Sequence, residues 1–146
     1  MFGFLRKLRG FSGNTSADFP GAFSASQIIF LQLPFCDLDP ISLCAKLEDD
    51  EFALGYLFGV ADMANYQFNR SATGDQDAAL NYIRHVFIES LGGDGEERFM
   101  QALRRQSSPV FGQGRQVGAD DLGGWLQSQG QRHALGLARH FSELSR

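Results

Sequence analysis

Apolar positions in the run Glu51–Asn69, EFALGYLFGVADMANYQFN, recur with a helical period. On a wheel of about 100° per residue, Ala53, Leu57, Val60 and Ala64 gather on one side, with Tyr56 and Met63 beside them. Phe52, Leu54 and Ala61 widen that surface beyond the roughly 100° stripe of a surface helix. The pattern predicts a central helix contacted from several directions. Its narrow polar side carries Glu51, Gly55, Asp62 and Asn69, with Gly59 and Asn65 at the edges. Gly55 and Gly59 are four apart and bare the helix at nearly the same place. Each costs about 1 kcal/mol relative to Ala, so close approach of a neighbouring helix or of a partner chain is expected there. Asp62 interrupts the apolar run, and a buried carboxylate needs a partner. Arg84, Arg139 and a histidine are the candidates, and a solvated polar stripe of Asp62, Asn65 and Asn69 is the competing reading. Gly55, Gly59, Asp62, Asn65 and Asn69 are therefore the candidate binding residues.

The other elements follow from punctuation. Ser24 or Ser26 can cap a short helix through QIIFLQL, and Pro34 stops it; a buried strand is the alternative. Asp39-Pro40 opens a short helix, with an acceptor at the cap and proline in the first turn. Asp49 or Asp50 starts the central helix. Asp75 caps the next, whose stripe is Leu80, Ile83, Phe87 and Leu91, and Gly92-Gly93 end it. A further helix carries Glu96 and Glu97 at its start and Phe99, Met100 and Leu103 inward. The stretch SSPVFGQGRQVG reads as the longest irregular segment, and Asp120 or Asp121 opens a segment through Trp125. The last helix is expected near Gln131–Leu144. The fold class is all-α: one irregular bundle of five to seven helices with antiparallel neighbours, the alternative being α+β with one small strand pair. Residues 1–22 form an N-terminal arm and 23–146 the helical domain.

Composition narrows the functions. A chain of 146 residues is one-domain length. Its fourteen Phe against three Tyr and one Trp place many rings in the core. A net charge of −4 disfavours a general nucleic-acid binder. The N-terminal MFGFLRKLRG lacks the continuous apolar segment of a secretory signal, so a cytoplasmic protein with reduced thiols is expected. Cys36 and Cys44 are not a CxxC pair and read as core residues. In the arm, Phe2, Phe4, Leu5, Leu8 and Phe11 alternate with Arg6, Lys7 and Arg9, which suits either packing on the domain or attachment to an anionic surface.

Catalytic signatures do not accompany these elements. Gly112, Gly114 and Gly118 miss the dinucleotide spacing by one residue, and no Lys-Ser or Lys-Thr follows for a phosphate loop. His85 and Glu89, four apart, allow a shared metal or a plain ion pair. His133 and His140 are two turns apart rather than one. No metal or cofactor is expected. The leading functional reading is a non-catalytic helical interaction or regulatory module, with a protein partner or self-association as a homodimer. A small enzyme assembled from Asp62, His85 and Glu89, and a peripheral membrane protein held by residues 2–11, are the alternatives.

Overall fold

The computed structural model describes residues 19–70 and 74–144. The predicted arm, apart from its last four residues, lies outside them. Among the described residues seven α-helices follow one another: α1 (Ala22–Phe30), α2 (Pro40–Leu47), α3 (Glu51–Phe68), α4 (Gln76–Leu91), α5 (Gly95–Arg104), α6 (Pro109–Gln127) and α7 (Gly136–Leu144). A 3-10 turn, Leu33–Cys36, extends α1. Strands are absent among the described residues, so the protein is all-α. The apolar run through IIFLQL is helix and turn.

Carboxylates start the helices where the sequence placed them. Asp39 accepts from Ser42 N at 2.7 Å, Asp50 from Ala53 N at 2.9 Å and Asp75 from Ala78 N at 3.1 Å. At α1 the cap is Gly21, not a serine. Its φ of 84° lies in the left-handed region, and a Cβ there would strike the Phe68 ring at the end of α3.

The centre of the bundle is α3, whose residues 53–61 are all buried. Its main neighbour is α6, which covers the stretch read from sequence as irregular. The two cross at glycines. A Cβ on Gly55 would meet the Phe111 carbonyl, and one on Gly59 the Arg115 carbonyl. A Cβ on Gly114 would meet the Phe52 carbonyl, and one on Gly118 the Tyr56 carbonyl. Advancing along one helix advances along the other, so the pair is parallel. This departs from the expected antiparallel arrangement: α4 and α5 intervene and return the chain to the starting end. Helix α6 carries five glycines at a propensity cost of about 1 kcal/mol each. Two of them, Gly114 and Gly118, recover that cost through backbone-to-backbone packing, which is why local pattern misjudged the segment.

The remaining elements are tied on by buried polar bonds. Tyr82 Oη donates to Pro20 O at 2.6 Å, and Ser26 and Ser90 hydroxyls bond at 3.0 Å, fixing α1 to α4. Phe19 stacks on His85 at 4.0 Å. Among the described residues the core thus includes Phe19, which the sequence assigned to the arm. Arg98 Nε donates to Cys44 O at 2.8 Å and holds α5 on α2.

Candidate interaction surface

Gly55 and Gly59 lie in the interior, covered by α6. Their close approach is within the chain, and no surface is left there for a partner. Asp62 is half-exposed and pairs with Arg115 Nη2 at 2.9 Å, across from α3 to α6. The partner is thus neither Arg84 nor Arg139 nor a histidine. The Arg115 guanidinium also lies 5.0 Å from the Phe58 ring centroid. Asn65 is buried and accepts from Asn69 Nδ2 at 3.0 Å, which closes the C-terminal turn of α3. The five sequence candidates therefore split into an internal packing contact, an interhelical ion pair and a helix-end amide pair.

His85 and Glu89 form the expected i,i+4 pair at 2.9 Å. Their ring neighbour is Phe19, whereas Asp62 faces Arg115, so the two features engage different parts of the bundle. Among the described residues no three His, Cys, Asp or Glu side chains gather closely enough to hold a metal ion. Cys36 and Cys44 are free thiols. Burial, foremost, raises both above the ordinary thiol range, which leaves little thiolate at neutral pH.

The strongest polar constellation was not legible in sequence. Gln32 Nε2 donates to Tyr56 Oη at 2.8 Å, and Tyr56 Oη donates to Asp121 Oδ2 at 2.6 Å. The same Asp121 oxygen accepts from Gly136 N at 2.8 Å. Gln32 Oε1 accepts from Leu137 N at 2.9 Å and Ala138 N at 3.1 Å. Two side chains from distant segments thus cap α7, whose first turn carries no capping residue of its own. Burial, and secondarily the Asp121 charge, push the Tyr56 phenol well above its ordinary range, so it remains a donor. Every buried side-chain polar atom among the described residues has a partner. The arrangement is a closed clasp joining α1, α3, α6 and α7, with its hydrogen-bonding capacity directed inward.

The outer face of α1 is different. Phe23 is 65 % exposed, Leu31 54 % and Phe35 70 %, with Phe30 at the same face. Positions 23, 27, 30 and 31 follow the i, i+4, i+7, i+8 spacing of one helical side, and Phe35 follows on the 3-10 turn. The stretch from Phe19 to Cys36 contains no charged residue. Large exposed apolar patches, unlike single exposed residues, mark binding surfaces. The composition-based expectation that the phenylalanines fill the core fails here because the inner side of α1 is already filled by Ala25, Ile28 and Ile29.

Two concavities flank Phe35. One, of about 290 Å³, is lined by Ile28, Leu31, Trp125, Ala134 and Leu135. The other, of about 420 Å³, is lined by Ala138 and Ser142, with Arg139 and Glu143 at its polar rim. His133 and Leu135 contribute to both. No single described helix is long and apolar enough to cross a membrane.

No family model, curated protein or solved structure matches this chain.

Proposed function

We propose that this protein is a non-catalytic docking module whose binding surface is the α1 face and the paired concavities around Phe35. The observation that carries the reading is the exposed row Phe23, Phe30, Leu31 and Phe35 on an uncharged segment of a domain whose described buried polar groups are all paired. The occupant that suits it is an amphipathic helix of a protein partner. Such a helix presents large side chains at i, i+3 and i+4, and two adjacent hollows separated by one ring accept that spacing. Arg139 and Glu143 at the rim supply orientation through charge.

The test is site-specific photocrosslinking in cells that make the protein, with a photoreactive phenylalanine analogue at position 35 or at Gln113 on the exposed side of α6. A discrete adduct heavier than one 16.1 kDa chain is expected from position 35 and not from 113. An adduct of twice the chain mass identifies a second copy as the partner. Equal labelling from both positions, or none from position 35, contradicts the reading.

A further inference from the structure

We propose that residues 2–11 of this chain seat on its own α1 face and cover it until a partner takes their place. This rests on the docking reading above and names an intramolecular occupant of the same surface. Three observations carry it.

The first is connectivity. The described chain begins at Phe19, which is fixed against His85, only four residues before Phe23. The preceding 18 residues therefore leave from the N-terminal end of the exposed row. Extended, they span up to about 60 Å, against a radius of gyration of roughly 15 Å for a domain of this length. From Phe23 to Leu31 the face runs about 12 Å at the helical rise. A short tether of this kind holds its segment at millimolar effective concentration.

The second is chemistry. Phe2, Phe4, Leu5, Leu8 and Phe11 supply large apolar side chains to a surface made of the same kind. Phe4, Leu8 and Phe11 have the spacing that fills successive hollows along a helix face.

The third is charge. Residues 1–10 carry Arg6, Lys7 and Arg9 and no acid, while residues 37–146 carry 10 basic against 16 acidic residues, a net of −6. The α1 segment between them is uncharged. Asp37 and Glu143 stand at the far end and rim of the face, with Arg139 beside Glu143 at that rim. A basic segment lying along an uncharged face meets no cation on the α1 segment itself and is drawn toward the net acidic body.

The test uses the full-length chain. Trypsin cuts after Arg6, Lys7 and Arg9, and the released N-terminal peptides are timed by mass spectrometry. Cleavage at these three sites is expected to be about tenfold slower in the wild type than in a Leu31→Ser/Phe35→Ser variant. A Phe4→Ser/Leu8→Ser variant, altered only in the segment itself, should be cut as fast as the face variant. Protection that rises with protein concentration means the segment seats on another copy and overturns the intramolecular proposal. Equal rates in wild type and both variants overturn it too. A photocrosslinked partner at position 35 together with equal tryptic rates would remove the cover and leave the docking reading standing.

Discussion

The Tyr56 hydroxyl on α3 donates a 2.6 Å hydrogen bond to Asp121 on α6, and that carboxylate oxygen in turn caps the start of α7 through Gly136 N. One phenol thus links the central parallel pair to the last helix. Removing it should be costly. Tyr56→Phe leaves Asp121 short of one donor and Gln32 Nε2 short of one acceptor in a buried site. The expected loss is about 1–3 kcal/mol, read as a fall in the urea midpoint. A midpoint equal to wild type would show that the clasp contributes no stability.

Alkali should act on the same group. Tyr56 and Tyr82 are both raised, each chiefly by burial, and Cys36 and Cys44 shift the same way. In the unfolded chain tyrosine ionises near pH 10 and cysteine near about 8.5. Above those values the unfolded state binds fewer protons than the folded one, so stability falls as pH rises. The contribution is complete below the unfolded pKa values and is lost on the way to the folded ones. The urea midpoint should therefore decline between roughly pH 8 and 11, and a Tyr56→Phe/Tyr82→Phe protein should decline less steeply. Parallel declines in the two proteins would contradict burial of the phenols.

The glycines of the α3–α6 contact should separate cleanly from those beside it. A Cβ at Gly55, Gly59, Gly114 or Gly118 meets backbone, which cannot rotate away, whereas one at Gly112 or Gly123 meets nothing within 4 Å. Gly59→Ala and Gly118→Ala should each destabilise by about 1–3 kcal/mol. Gly112→Ala and Gly123→Ala should each stabilise by about 0.5–1 kcal/mol through helix propensity. Thermal midpoints of the four variants decide the matter; stabilisation by Gly59→Ala would mean that the helices do not touch there.

What the sequence revealed and what it hid share one physical origin. Starts at Asp39, Asp50 and Asp75 were legible because capping is local, a side chain bonding an amide three residues on. The breadth of the α3 apolar surface announced its burial. Helix α6 was hidden because its glycines lower local propensity and are compensated only by α3. The repeat of the Gly55-Gly59 spacing at Gly114-Gly118 was the available signal for that pairing. Arg115 as the partner of Asp62, and the Gln32–Tyr56–Asp121 chain, depend on contacts between residues 24 to 65 positions apart, which periodicity does not encode. Exposure of Phe23 and Phe35 was equally invisible: a phenylalanine on an exposed face and one in a core have the same local pattern.

That last distinction, between residues that fold the protein and residues that dock it, is central to the proposed function, and one comparison tests it most directly. Leu31→Ser/Phe35→Ser protein and wild type are each measured for thermal midpoint and, in gentle native extracts of producing cells, for apparent mass. The expected result is a fall in stability of no more than about 1.4 kcal/mol, the worth of a tenfold seating of residues 2–11 on that face, together with loss of the larger species formed by the wild type. A sharply lowered midpoint, or a larger species that persists in the variant, would contradict a docking role for the α1 face.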